Sequence, residues 1–232
     1  MRARLVVFDL DGTLVDSRRD LARSANDLIV QAGGQPLAEE RIVRMVGDGA
    51  RRLVERAFEA SGLGTPEDRH LEEFLAIYDR RLVETTRPYE GVGDLLAGIA
   101  RSATVALVTN KPAAPTRRLL EIFELMPFFS TVTGGDGPFP RKPSPESTRS
   151  AMERAGALPA DTLFVGDSHV DVRTARSAGV QFCLAGYGFG VDQLPAGLLT
   201  PDDWVIERPL DLLDRLRGGR SPGLSESRGP CG

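Results

Sequence analysis

The stretch "LVVFDLDGTLVDS", Leu5 to Ser17, decides the fold. It opens as an apolar, β-branched run of the kind that fills a buried strand, then sets Asp9 and Asp11 where that strand should end. Two carboxylates sharing a site repel by roughly 4 kcal/mol at ~4 Å for an effective dielectric constant of ~20. A cation at the strand tip is the simplest way to offset that cost. Gly12 lets the chain turn sharply just after the acids.

Working outward, further short β-rich runs fall at Thr104 to Thr109, Ser130 to Thr133, Thr162 to Val165, Gln181 to Leu184 and Trp204 to Ile206. Helical patterns at Pro115 to Leu125, Pro145 to Ala155 and Asp171 to Ala178 fill the intervals, with Gly156 and Gly179 as stops. This alternation predicts an α/β fold, a Rossmann-like core whose parallel sheet is flanked by helices. Between the first two long strands the pattern changes. Leu21, Ala25, Leu28 and Ala32 line one helical face, and Leu71, Phe74, Leu75, Tyr78 and Leu82 another, with no convincing strand between. That span exceeds an ordinary crossover. We therefore expect an all-helical cap, residues 17–87, inserted into a core made of 1–16 and 88–216, with hinges at Val15 to Arg18 and Thr86 to Gly91. The Gly-, Ser- and Pro-rich tail, 217–232, is expected to be disordered.

Composition narrows the function. A net charge of −4, with the arginines scattered among acids, argues against nucleic acid as a partner. No apolar run suits a membrane span or a signal peptide, so a cytoplasmic protein is expected. The two cysteines, Cys183 and Cys231, offer neither a disulfide framework nor metal-ligand spacing. Only two of the 29 basic residues are lysines, Lys111 and Lys142, and both sit in loop-like segments just after strands, "VTNKP" and "PRKPSP". Each is a candidate for a required point charge, although Lys111 reads equally well as substrate-facing or as solvated.

In an open parallel sheet, ligands bind beyond the carboxyl ends of the strands. Asp9 and Asp11, Thr109 and Asn110, Lys142, and "GDSHVD" from Gly166 to Asp171 all fall there. Carboxylates, a hydroxyl, an amide and an ammonium are what a hard divalent cation and a phosphoryl group require together.

In this order the motifs resemble those of haloacid dehalogenase superfamily phosphatases, from Leu5 to about Gly190. The resemblance implies Asp9 as nucleophile, Asp11 as general acid and base, and Lys142 as the balancing charge. It implies Mg²⁺ held by Asp9, Asp167 and the main-chain carbonyl of Asp11, with Asp171 positioning waters or Lys142 from outside. Thr109 and the main chain near Asn110 would bind phosphoryl oxygens. "MVGDGARRLVERAF" and "GGDGPFPRKPSPE" are most similar to the phosphoglycolate phosphatase branch, in which a glycine-rich cap turn, here Gly47, Asp48 and Gly49, folds over the substrate and Arg51 or Arg52 meets a second anion. The expected partner is thus a small phosphorylated metabolite, taken by a monomer or homodimer. Other small phosphate esters, pyrophosphate, a sugar phosphomutase activity and a non-catalytic regulatory role remain as alternatives. The phosphonate branch, which uses a cap lysine, is excluded because residues 17–87 contain none.

Overall fold

A computed structural model of the chain describes residues 3–218. Strand β1 (Leu5–Phe8) leads into a short pair, β2 (Val15–Asp16) and β3 (Arg87–Pro88), which run antiparallel and bracket four helices. These are α1 (Arg18–Gln31), α2 (Glu39–Val43), α3 (Ala50–Ala60) and α4 (Asp68–Arg81). The remainder alternates: α5 (Val92–Ala100), β4 (Thr104–Val108), α6 (Ala113–Ile122), β5 (Thr131–Thr133), α7 (Glu146–Ala155), β6 (Thr162–Gly166), α8 (His169–Ala178), β7 (Gln181–Ala185), β8 (Trp204–Ile206) and α9 (Asp211–Leu216). Beyond Gly218 the predicted tail lies outside the described residues. Among the described residues, no helix is long and apolar enough to cross a membrane.

Six strands form one parallel sheet in the order β5-β4-β1-β6-β7-β8. Alternation of side chains makes both faces of β1 apolar: Val6 and Phe8 join one buried cluster, Leu5 and Val7 the other. All four are fully buried, as a central parallel strand requires. The first cluster also reaches into the helical segment through Leu21, Leu28, Phe74 and Tyr78, residues of the two predicted faces. Strand order reverses about β1, between β4 and β6, and this opens a crevice at their carboxyl ends.

Helix boundaries differ in places from the expected ones. Helix α8 starts at His169, two residues before the expected Asp171, because Ser168 caps it and Asp171 reciprocates from the first turn. Helix α6 closes at Ile122, ahead of Leu125, and Glu124 takes a positive φ of 57° in the turn that follows. Gly156 and Gly179 end their helices in the left-handed conformation, as expected.

The two chain crossings between the helical segment and the sheet are tied by Asp20. This fully buried carboxylate accepts from the N–H of Thr85 (2.9 Å) and Thr86 (2.8 Å) and from both hydroxyls (2.6 and 2.7 Å). Burial alone would raise its pKa, but these donors hold it below the ordinary carboxylate value. Asp20→Asn turns one acceptor oxygen into a donor facing donors, and should cost about 1–3 kcal/mol near neutral pH in denaturant titrations. The lowered pKa makes the Asp20 contribution complete above about pH 4, and it is lost as pH falls through the folded-state value. The gap between wild type and variant should therefore narrow in acid; a gap that widens would contradict the assignment.

Candidate active site

The end of β1 is held in register past its last strand residue, because the Asp9 N–H donates to the Val165 carbonyl at 2.9 Å. The chain then turns through Gly12 at φ 81°, with the Gly12 N–H returning to the Val15 carbonyl. Glycine is required there twice over. A Cβ would meet Asp167 Oδ2 at 2.0 Å, and the left-handed backbone disfavours any other residue. Gly188 crowds Asp167 from the other side, and the Gly190 N–H donates to Asp167 Oδ2 at 2.8 Å.

Lys142 stands between two carboxylates: its Nζ lies 2.8 Å from Asp9 Oδ1 and 2.6 Å from Asp171 Oδ1. Asp171 spends its second oxygen on the Ser168 N–H (3.0 Å) and hydroxyl (2.6 Å), so capping α8 also fixes the lysine's partner. The backbone of Lys142 is clamped by the Asn110 side chain, which accepts from its N–H (2.9 Å) and donates to its carbonyl (3.1 Å) and to that of Gly47 (3.0 Å). Burial would lower the lysine's pKa, yet Asp171 and Asp9 outweigh it and hold the ammonium above its ordinary value. Burial pushes the Asp9 carboxyl up to about 6 against the pull of Lys142, with Asp171 adding to the rise. Burial, Asp171 and Asp9 raise Asp167 well above the ordinary range.

Asp9, Asp167 and Asp171 each offer a carboxylate oxygen within 4.8 Å of the others. Three buried carboxylates thus face one ammonium, and Asp9 Oδ1 has no aligned hydrogen-bond donor despite its contact with Lys142. An all-oxygen donor set with excess negative charge fits a hard divalent cation. Asp171 falls inside this cluster, although both its oxygens are already engaged. The Asp11 side chain falls outside it: its carboxylate accepts from the Ser17 hydroxyl at 2.6 Å and from Lys111 Nζ at 3.1 Å to each oxygen.

A cleft open to solvent lies over this cluster. Asp9, Asp11, Thr109, Asn110, Asp167, Gly47 and Gly49 line it. Thr109 Oγ1 accepts from the Lys111 N–H at 3.2 Å. Two expected groups lie away from the cleft. Asp48 does not face the cleft but pairs with Arg56 at 2.5 Å, because the positive φ of Gly47 and Gly49 swings the intervening side chain outward. Arg51 and Arg52, expected to meet a second anion, are held at the surface by Asp68 (2.9 Å) and Glu55 (2.6 Å). Asn110 acts through its side chain on the Lys142 loop and the Gly47 turn, a contact for which the sequence carries no signal. Tyr78 was also missed as a site residue. Read only as part of an apolar face, it places its hydroxyl 2.6 Å from Lys111 Nζ.

A family model described as haloacid dehalogenase-like hydrolase matches residues 6–185, a span that includes Asp9, Asp11, Thr109, Asn110, Lys142, Asp167 and Asp171. The chain belongs to that hydrolase family. The phosphoglycolate phosphatase of Rhodospirillum rubrum is 38% identical over 97% of this chain and 98% of its own length. Phosphoglycolate phosphatase 1 of Pseudomonas aeruginosa is 39% identical over 80% of this chain and 70% of its own. Among solved structures, a protein described as a predicted phosphoglycolate phosphatase from Haemophilus somnus superposes with a TM-score of 0.83 at 29% identity, covering 93% of this chain and 98% of the other.

In this haloacid dehalogenase-like site, Gly12 sets how closely the β1 turn approaches Asp167. Gly12→Ala should lower unfolding free energy by about 2–4 kcal/mol, from the left-handed backbone together with the clash. A loss under about 0.5 kcal/mol in a denaturant titration would show that the turn tolerates a side chain.

Proposed function

We propose that this chain is a phosphomonoesterase that hydrolyses 2-phosphoglycolate through a phosphoryl group carried on Asp9. The observation that carries the reading is the placement of Asp9 at the tip of β1, paired with Lys142 and set against Asp167 and Asp171, while Asp11 is held apart by Lys111 and Ser17. Two carboxylates in different environments can take different roles. The names of the relatives from Rhodospirillum rubrum and Pseudomonas aeruginosa support the choice of substrate.

In the first displacement an Asp9 oxygen forms a bond to phosphorus, the bond from phosphorus to the leaving oxygen breaks, and Asp11 gives that oxygen its proton. In the second, Asp11 takes a proton from water as the water oxygen attacks phosphorus, which frees inorganic phosphate and restores the Asp9 carboxylate. Lys142 offsets charge on Asp9 and on the transferring group, and the Thr109 hydroxyl lies in the cleft to bind a phosphoryl oxygen. Asp9 and Asp167, with the main-chain carbonyl of Asp11, would hold a Mg²⁺, which would supply charge neutralisation for the phosphoryl oxygens. Asp171 keeps Lys142 in place.

Residues 17–87 serve as a cap over a core of 1–16 and 88–216, turning on the β2 and β3 pair to exclude water and then release product. The cap is helical and the core holds every carboxylate of the cluster. A cytoplasmic location and a monomeric or homodimeric state accord with this reading.

The test is phosphate release by purified protein from 2-phosphoglycolate, sugar phosphates and pyrophosphate, with excess Mg²⁺ and with EDTA. We expect preference for 2-phosphoglycolate, loss in EDTA with recovery on adding Mg²⁺, and a fall of about 1,000-fold or more in Asp9→Asn. Unchanged turnover in Asp9→Asn would remove it as nucleophile, and preference for another substrate would move the substrate while keeping the chemistry.

A further inference from the structure

Lys111 is not needed to hold the transferring phosphoryl group, yet it is one of the most constrained side chains at the site. Its side chain is 3% exposed. Its ammonium sits 3.1 Å from both Asp11 oxygens, 2.6 Å from the Tyr78 hydroxyl and 4.3 Å above the centre of the Tyr78 ring. Tyr78 belongs to α4 and Lys111 to the loop after β4, so the contact spans the helical segment and the sheet.

Among the described residues that line the cleft, Lys111 is the only cationic side chain. Lys142 lies behind Asp9 and Asp171, and Arg51 and Arg52 are paired elsewhere. The wall around Lys111 is apolar, with Leu21, Leu53, Phe74 and Leu75 facing the same space. A buried ammonium in such a wall is costly unless paired, and it attracts an anion more strongly than it would in water.

We infer that Lys111, steadied by Tyr78, is the specificity-determining receptor for a carboxylate on the leaving group. This rests on the proposed reaction, in which the leaving oxygen meets the Asp11 carboxyl. A carboxylate carbon one methylene beyond that oxygen falls beside Asp11, where the ammonium lies within 3.1 Å of either oxygen. The substrate carboxylate takes over one of the two Asp11 contacts while Tyr78 keeps the ammonium facing the cleft. A leaving group that lacks the carboxylate gains nothing from Lys111, which is how a site built around one polar contact rejects an analogue missing it. Because Tyr78 comes from α4, the receptor is complete only when the helical segment sits over the sheet.

The test compares 2-phosphoglycolate with 2-hydroxyethyl phosphate, which replaces the carboxylate by a neutral alcohol, using kcat/KM in Mg²⁺. In Lys111→Met the ratio of the two should fall about 10- to 100-fold relative to wild type. Tyr78→Phe keeps the ring and removes only the hydroxyl, so it preserves packing if Lys111→Met fails to fold. It should raise KM for 2-phosphoglycolate several-fold and leave kcat for that substrate nearly unchanged, a split that general destabilisation does not produce. Losses that are equal on both substrates in both variants would overturn the inference and assign Lys111 to holding Asp11. A wild-type enzyme with no preference for 2-phosphoglycolate would overturn the substrate reading, and this inference with it. A wild-type preference that survives in both variants would overturn the inference alone.

Discussion

The ion pairing of Lys142 between Asp9 and Asp171 is what the rest of the site depends on. Without it, three buried carboxylates would stand together at the end of β1, and like charges that close cost several kcal/mol each at the effective dielectric of a protein interior, roughly 4 kcal/mol at ~4 Å. A single ammonium does not balance them all, and burial, with the neighbouring carboxylates adding to it, raises both Asp9 and Asp167. That imbalance prepares the site for a divalent cation, since it is the buried negative charge, more than any one ligand, that favours binding. The neighbouring backbone serves the arrangement: Gly12 and Gly188 press against Asp167, Ser168 orients Asp171, and Asn110 fixes the lysine's main chain.

The sheet explains why these groups can meet at all. Their loops leave β1, β4 and β6, which are adjacent and parallel, so their carboxyl ends share one rim although Asp9, Thr109 and Asp167 lie far apart in the chain. The Lys142 loop follows β5, one strand further out, and Asn110 draws it inward. Asp11, Lys111 and Ser17 form a second charged group on the cleft side, with Tyr78 reaching down from α4. The site is therefore divided, with strong fixed charge beneath the phosphoryl position and one cation in an apolar wall above it. In the proposed reaction, hydrolysis through Asp9 uses the first group, and discrimination among leaving groups falls to the second.

The sequence was most legible where function forces a local pattern. Asp9 and Asp11 after an apolar strand, Lys142 between arginine and proline, and "GDSHVD" after β6 could be read because strand ends in a parallel sheet have one place to go. The faces of α1 and α4 were legible from their spacing, and Leu21, Leu28, Phe74 and Tyr78 are buried as that spacing requires. What stayed hidden depends on contacts distant in sequence. The Tyr78 hydroxyl reads as part of a core stripe until Lys111 is brought to it, and the role of Asp20 depends on Thr85 and Thr86, which lie some 65 residues on. Asp48 misled for the opposite reason, because its neighbours Gly47 and Gly49 reach the cleft through their backbone while its own side chain turns to Arg56. Short elements such as β2, β3 and α2 carry too few residues for periodicity to register.

The central claim is that the phosphoryl group passes through Asp9. The most direct measurement is to quench the enzyme in acid during turnover of 2-phosphoglycolate, reduce the protein with borohydride and map the peptides. A phosphorylated aspartate is reduced to homoserine, so the account predicts homoserine at position 9, dependent on substrate and absent without it. Recovery of unaltered Asp9 from enzyme quenched in steady turnover, or homoserine at position 11 in its place, would contradict it.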